Sequence, residues 1–208
     1  MTNIEPALDL VKILDLRPTQ VTVGMREVAE RRKRWHEKDK KKRKAYLGTH
    51  MVPVIRGPKD RIYVIDHHHL ALALHQEGVD DILINVVANL TRLDEDSFWF
   101  TMENLGWMHL FDAHGKRCSP KELPKSVAKL KDDPYRSLAG ELRRVGGFAK
   151  DTTPFSEFLW ADFLRRRVER KRIEKSFASA LEQALLLAKS FDADYLPGWC
   201  GASSVQSS

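Results

Sequence analysis

One stretch, residues 62–78, constrains the fold more than any other. Ile62–Ile65 are four consecutive β-branched or aromatic residues, which indicates a strand buried on both faces, because a half-exposed strand would alternate with polar residues. Leu70, Ala73 and Leu74 then follow the spacing of one helix face. Gly78 stands where a left-handed C-cap is expected. The stretch therefore predicts a buried strand that leads directly into a helix.

Asp66 and the run His67–His69 lie at this predicted junction. The first N–H groups of a helix are unpaired and its dipole favours negative charge, so such a turn is suited to an anion or a phosphate. Three interpretations of the run stay open. A metal site is disfavoured, because metal-ligand spacings leave residues between histidines. The others are a polar turn in which Asp66 caps the helix, and a phosphate or nucleotide site.

The same residues carry a resemblance to a known family. The pattern strand-Asp66-x-His68-His69-x-x-x-Ala73-helix follows a predicted hairpin and the segment Leu16–Gln20. It resembles the ParB/sulfiredoxin superfamily, specifically its ParB-like putative nuclease branch, over about residues 10 to 110. The motifs 133–137 and 155–160 are similar to the C-terminal half of that branch, although they suggest no chemistry by themselves.

The resemblance implies an α+β fold, a ParB/sulfiredoxin-like small mixed sheet with helices, plus an α-helical C-terminal extension. It implies that the turn holds the phosphates of a nucleotide, ATP, ADP or CTP, as in the CTP-binding partition proteins and free serine kinases of the superfamily. The residues implied in nucleotide binding are Gln20, Asp66, His67, His68 and His69. Those implied in catalysis are Glu27, His68 and His69. Phosphoryl transfer from a nucleoside triphosphate is also expected to need Mg²⁺, and Asp66 is the only nominee for its ligand, because the sequence supplies no distinctive ligand set.

Two positions depart from the Asp-Gly-His-His-Arg pattern of the kinase-like members. His67 replaces the glycine, and Leu70 replaces an arginine that would clamp a phosphate. The turn also has no cysteine, which excludes sulfiredoxin chemistry. The acidic cluster Asp94–Asp96 is better explained by its place at a helix start than by metal binding.

Glu27 has two open interpretations. Gly24 opens a predicted helix, and a carboxylate three residues later can reach back to the free amide groups. The resemblance implies instead a general base for a hydroxyl acceptor, the role of a glutamate in this part of the serine kinases.

The run Arg31–Lys44 is dense in lysine and arginine, and Trp35 is its only large apolar residue. The apolar stripe of the helix ends near Trp35, so its second half is predicted to project from the core as a solvated surface. The alternative is weak, sequence-independent binding of nucleic acid. The net charge of +6 permits either.

Other segments complete the predicted fold. The turn 57–60 joins two strands, 51–56 and 61–65, into a hairpin. The apolar run 82–88 predicts another buried strand. Thr91 and Asp94 match a capping box, and Phe98, Met102 and Leu105 form the apolar side of the helix that follows.

The predicted domains are an α/β core at 1–115, a helical extension packed on it at 116–200, and a disordered tail at 201–208. Only two cysteines, Cys118 and Cys200, are present, and no stretch approaches the roughly 20 apolar residues of a membrane span. Glu5 and Asp9 stand in an N-terminus without an apolar signal core. We therefore expect a cytoplasmic protein with no membrane partner.

The expected function is phosphoryl transfer on a nucleotide or small phosphorylated molecule at the histidine turn, either kinase-like or as a phosphodiesterase or nuclease. The alternative is a non-catalytic DNA-binding or partition-like module, in which the turn only shapes the fold.

Overall fold

The computed structural model describes residues 9–201 and shows an α+β fold. Within this range the strands are β1 (Asp9–Lys12), β2 (Leu16–Pro18), β3 (Thr22–Val23), β4 (Val52–Gly57), β5 (Arg61–Val64), β6 (Asp81–Asn89) and β7 (Lys131–Asp132). The α-helices of the same range are α1 (Met25–His36), α2 (Lys40–Thr49), α3 (His68–Gln76), α4 (Glu95–Asn104), α5 (Pro134–Arg144), α6 (Ser156–Arg165), α7 (Arg170–Lys175) and α8 (Phe177–Ala188). The predicted fold class is confirmed. None of these helices is long and apolar enough to cross a membrane.

A mixed five-stranded sheet with the order β1-β6-β4-β5-β2 brings two chain segments to one edge. Strands β4 and β5 form the predicted antiparallel hairpin, whereas β2 runs parallel to β5 with Pro18 opposite Val64. The carboxyl ends of parallel neighbours lie side by side. The residues that follow β2 therefore meet those that follow β5, where the histidine turn begins.

Helix α3 starts directly after this turn, as predicted, and residues 68–74 are all buried. It packs between the sheet and α1, and its core neighbours include Val28 of α1 and Val64 of β5. Gly78 follows the helix with a φ of 73°, which confirms the predicted left-handed C-cap.

The basic run Arg31–Lys44 is divided between two helices and does not project as one, so that part of the prediction is wrong, although most of its side chains are exposed as predicted. Helix α1 ends at His36, and Asp39 starts α2 by accepting a hydrogen bond from the N–H of Lys42 at 2.8 Å. Trp35 is only 7% exposed and packs edge-on against Tyr46, with ring centroids 6.1 Å apart. Burial of this indole holds α2 back against the core, which a pattern confined to α1 could not show.

Two further predictions are corrected at β6 and α4. Strand β6 is not buried throughout: Ile82 and Ile84 are fully buried, but Val87 is 47% exposed, because the second half of the strand alternates between core and solvent. Thr91 does not cap α4, since its hydroxyl donates to the Asn89 side chain. Asp94 alone is the N-cap and accepts from the N–H of Ser97.

The C-terminal helices have their own core but are anchored to the sheet. Buried side chains of α5 to α8, among them Leu138, Trp160 and Ala184, form one cluster. Strand β7 pairs with β3, and Val127 and Leu130, just before it, belong to the cluster under the sheet. This anchoring fixes α5 and α6 relative to α1 and α3. The tail predicted to be disordered lies, apart from Gly201, outside the described residues.

Candidate functional site

A cleft of about 460 Å³, here called the histidine cleft, lies where α1, α3, α5 and α6 meet. All the residues nominated from the sequence line it: Gln20, Glu27, Asp66, His67, His68 and His69. The parallel pairing of β2 with β5 brings Gln20 to the histidine turn. The packing of α1 on α3 brings Glu27 there.

His68 and His69 are buried and serve as hydrogen-bond acceptors. Nε2 of His68 accepts from the N–H of Thr19 at 3.2 Å, and Nε2 of His69 accepts from the N–H of Gly24 at 3.0 Å. Burial lowers the pKa of His68 to about 4 and the pKa of His69 to about 3. Both imidazoles are therefore neutral near pH 7, and they hold the segment between β2 and α1 against the start of α3.

The turn before α3 has an unusual backbone. His67 is the N-cap residue, with a φ of 65°, and its side chain makes no capping hydrogen bond. Asp66 does not cap the helix, contrary to one interpretation, because its Oδ1 accepts from the N–H of His67 at 2.6 Å. Within residues 9–201 the N–H groups of His68 and His69 have no acceptor. The start of α3 is thus left open to an anion.

Helix α6 begins in the same way on the facing wall. Its N-cap is Phe155, with a φ of 58° and no capping hydrogen bond from its side chain. The N–H of Glu157 has no acceptor in the described part of the chain. A bulky residue with positive φ is strained, and such strain gathers at functional sites. Two helix N-termini with left-handed N-caps therefore line one cleft.

Arg136 of α5 lies between these helix starts. Its side chain is 8% exposed, and among the described residues its buried Nε and Nη1 atoms have no hydrogen-bond acceptor. Carboxylate oxygens of Glu27 and Glu157 stand 3.6 and 3.7 Å away, close enough to pair with its charge but too far to accept hydrogen bonds. The guanidinium also lies over the ring of Phe158, 5.4 Å from its centroid. A buried guanidinium with free donors matches a phosphate or carboxylate ligand.

Glu27 does not reach back to cap α1. Its Oε1 accepts from Arg31 at 3.2 Å, and its Oε2 lies 3.6 Å from both Nε2 of His69 and Nη1 of Arg136. Burial acts to raise the pKa of Glu27, but the charges of His69, Arg136 and Arg31 outweigh it and lower the pKa to about 2. Because His69 is neutral near pH 7, the two guanidinium groups act on the carboxylate there.

Gln20 and an aromatic wall complete the cleft. The Gln20 side chain is buried, and its Nε2 donates to the carbonyl of Thr22 at 2.6 Å. Phe155 and Phe158 line the cleft, and His109 stacks on Phe158 with ring centroids 4.0 Å apart. Burial, then Arg165 and Arg136, lower the pKa of His109 to about 4, so this ring also stays neutral.

A metal site made of protein ligands alone is absent from residues 9–201, where no three histidine, cysteine or acidic side chains converge. Asp66 is exposed at the cleft. Mg²⁺ is commonly held by one or two carboxylates together with substrate phosphates. Asp66 could supply one such carboxylate, as the sequence predicted, but it does not form a complete metal site by itself.

The sequence reasoning missed the residues contributed by the C-terminal half, above all Arg136 and Phe155. A signal for both existed, because each lies in one of the motifs, 133–137 and 155–160, that carry the family resemblance in this half. Arg31, Arg143 and Lys150 also line the cleft. Arg31 belongs to α1, and only the packing of α5 and α6 on the core shows that Arg143 and Lys150 face the histidine turn.

Comparison with known proteins found one matching family model and a similar solved structure. A family model described as "Putative ParB-like nuclease" matches residues 10–166. The crystal structure of protein Atu1540 from Agrobacterium tumefaciens is similar with a TM-score of 0.88 and 51% sequence identity, over 95% of this chain and 100% of that chain. No curated protein matches this sequence.

Proposed function

The chain belongs to the putative ParB-like nuclease family, and from this premise we propose that the histidine cleft binds a phosphate group of a nucleotide or nucleic acid and catalyses phosphoryl transfer. Phosphoryl transfer needs little covalent chemistry from the protein. It depends on positioning and on donors that stabilise charge on the phosphate oxygens.

The observation that carries the proposal is Arg136. A buried guanidinium with two unsatisfied nitrogens is costly in a folded protein unless a ligand completes its hydrogen bonds. Its place between the starts of α3 and α6 points to an anion, since both helix dipoles favour negative charge at the same position. A cleft of about 460 Å³ is large enough for a nucleotide-sized ligand.

Each nominated residue takes a role consistent with its contacts. Glu27, ionised throughout the neutral range, accepts a hydrogen bond from the attacking water or hydroxyl and orients it, as carboxylates and amides do in other phosphoryl-transfer enzymes. Neutral His68 and His69 position the β2–α1 segment that leads to Glu27. Asp66 would hold Mg²⁺, which neutralises charge on the phosphates when bound.

A non-catalytic phosphate-binding module, of DNA-binding or partition type, is the second candidate. It is favoured by one observation: Nε2 of both buried histidines is already occupied by a backbone N–H, so neither atom is free to take a proton. The two candidate functions share the same anion site and differ only in whether the bound phosphate ester is cleaved or transferred.

Calorimetric titration with ATP, ADP and CTP, each with and without Mg²⁺, tests the binding site. We expect Arg136→Gln to abolish measurable binding and Arg136→Lys to weaken it, because lysine keeps the charge but not the planar fork of donors. Binding that is unchanged in Arg136→Gln would refute the proposal. Hydrolysis of single-stranded DNA and of a chromogenic phosphodiester then separates enzyme from module.

Arg165→Lys is the matched control. Arg165 is similarly buried, with 14% of its side chain exposed, but it pairs with Asp133 at 2.6 Å and does not line the histidine cleft. The control should lose stability without losing nucleotide affinity. Thermal unfolding of each variant shows whether a loss of binding reflects a loss of fold.

A further inference from the structure

We infer that a groove beside the histidine cleft carries a single strand of nucleic acid away from the phosphate site, so that the ligand of this protein is an oligonucleotide rather than a mononucleotide. The inference rests on the proposed function, because it takes the cleft as the site of one phosphate. It adds further phosphate contacts along α1 and α5 and a stacking position at the far end.

The groove, here called the arginine groove, lies between α1 and α5 and encloses about 550 Å³. Four residues line both this groove and the histidine cleft, so the two spaces adjoin: Glu27, Arg31, Arg143 and Lys150. Each space alone could hold a nucleotide-sized ligand. A ligand that occupies both must be longer.

The charge of the arginine groove fits a phosphate chain. Its basic residues are Arg26, Arg31, Arg34, Arg143, Arg144 and Lys150, and its acidic residues are Glu27, Glu30 and Glu141. Arg144 is neutralised by Glu30 and Glu141. By contrast, Arg34 and Lys150 have no ion-pair partner in the described part of the chain, whereas Arg31 pairs with Glu27 and Arg143 with Glu157, both at 3.2 Å. Arg34 and Lys150 therefore leave a lane of uncompensated positive charge along the groove.

A small aromatic pocket of about 260 Å³ continues this lane. Arg31 and Arg34 line both the arginine groove and this pocket, whose other walls include Trp35, Tyr46 and His50. The rings of Tyr46 and His50 stack with centroids 3.8 Å apart and an interplanar angle of 21°. Aromatic rings beside a basic lane are the arrangement on which bases of single strands stack.

The recessed phosphate site favours a single strand over a duplex. Arg136 is more than nine-tenths buried, so a phosphate reaches it only if the backbone enters the cleft. The backbone of a single strand can follow a groove while its unpaired bases turn outwards to stack. Paired bases cannot make those stacking contacts.

Fluorescence-anisotropy titrations with thymidine 5′-monophosphate and with oligothymidylates of increasing length test the inference at several salt concentrations. We expect affinity to rise with length until the strand spans the groove and then to level off. Arg34→Gln should lower the affinity for the longer strands severalfold and reduce the log–log salt slope by about 0.7, the contribution of one phosphate contact on a single strand. Arg34→Lys keeps the positive charge, so it should retain most of the wild-type salt slope.

Arg92→Gln is the matched control, because it removes the same charge from an exposed residue that lines neither the cleft nor the groove. Equal losses in Arg34→Gln and Arg92→Gln would overturn the inference, as would duplex binding as tight as single-strand binding. If the monophosphate binds and longer strands bind no more tightly, the inference about the groove is wrong while the proposal for the cleft is retained. If Arg136→Gln leaves monophosphate binding unchanged but Arg34→Gln weakens the strands, the cleft proposal fails instead.

Discussion

Nε2 of His69 accepts a hydrogen bond from the backbone N–H of Gly24 at 3.0 Å, and this contact joins the start of α1 to the start of α3. We predict that His69→Leu loses about 1–3 kcal/mol of unfolding free energy, because it leaves a buried N–H without an acceptor. His69→Gln should lose less, since its amide oxygen can replace Nε2. Urea denaturation of the two variants measures the difference, and equal losses would contradict it.

Acid should destabilise the protein through its buried histidines. The folded pKa values of His68 and His69, about 4 and about 3, lie below the unfolded value of about 6.5. Below about pH 6.5 the unfolded chain therefore binds protons that the folded chain cannot. Each histidine then lowers the unfolding free energy by about 1.4 kcal/mol per pH unit until its folded pKa is reached.

Denaturation at a series of pH values measures this slope. His68→Gln should reduce it by about 1.4 kcal/mol per pH unit, because one fewer proton is bound on unfolding.

Glu27 affects the unfolding free energy at lower pH. Its folded pKa of about 2 lies below the ordinary value of 4.5, so the stability it contributes is complete above about pH 4.5 and is lost as the pH falls towards 2. A pH-independent unfolding free energy between about pH 6.5 and 4 would contradict the buried, neutral histidines.

Gly140→Ala should weaken phosphate binding without weakening the fold. A Cβ at position 140 would lie 3.1 Å from Nη1 of Arg136, so the guanidinium would have to shift by a few tenths of an ångström, whereas its 3.6 Å distance from Oε2 of Glu27 is an ordinary contact. Within helix α5, alanine itself favours the helix by up to about 1 kcal/mol.

Gly48→Ala provides the control for this variant. Position 48 lies in helix α2, and an added Cβ there meets nothing within 4 Å. It should gain similar helix stability and keep wild-type nucleotide affinity in the same calorimetric titration. If both alanine variants bind alike, the position of the Arg136 guanidinium does not govern binding.

His67→Gly should be tolerated, whereas His67→Val should not. The φ of 65° at this position suits glycine and is strained for a β-branched residue. Both variants lose the contact of Nδ1 with the carbonyl of Met51, so their difference isolates the backbone. We expect valine to be less stable than glycine by at least about 1 kcal/mol in thermal unfolding. Equal stability would show that the turn relaxes.

Asp66→Asn tests the metal. The amide oxygen of asparagine can still accept the N–H of His67, so the turn should persist, but a charged ligand for Mg²⁺ is lost. In the wild type we expect nucleotide affinity to rise when Mg²⁺ is added. In Asp66→Asn that gain should largely disappear, and an unchanged gain would place the metal on the nucleotide alone.

Much of the α/β core and of the cleft was predictable from local patterns. The change of period after Ile65, the turn at 57–60 and Gly78 are enough to define the hairpin, the junction and the end of α3. The nominated residues all line the histidine cleft, and the resemblance, rather than a local pattern, predicted that they would lie together. His67 adopts a φ of 65°, so the same turn would also suit the glycine that the kinase-like pattern has at this position.

Local patterns failed where distant packing decides the outcome. Helix α2 lies against the core because Tyr46 packs against the buried Trp35, and no periodicity within α1 encodes that contact. The low pKa of Glu27 could not be predicted from its neighbours in the sequence either. Arg136, which contributes to it, lies 109 positions further along the chain.

The sequence by itself determined the hairpin, the turn and the start and end of α3, because strand and helix periods, glycine positions and capping residues act over a few neighbours. Only the tertiary structure decided that α6 begins opposite α3, that Arg136 lies between them with unsatisfied nitrogens, and that both histidines are occupied by backbone amides. The reason is that burial and long-range hydrogen bonds depend on which elements pack together, and that choice follows from the whole hydrophobic core rather than from any one segment.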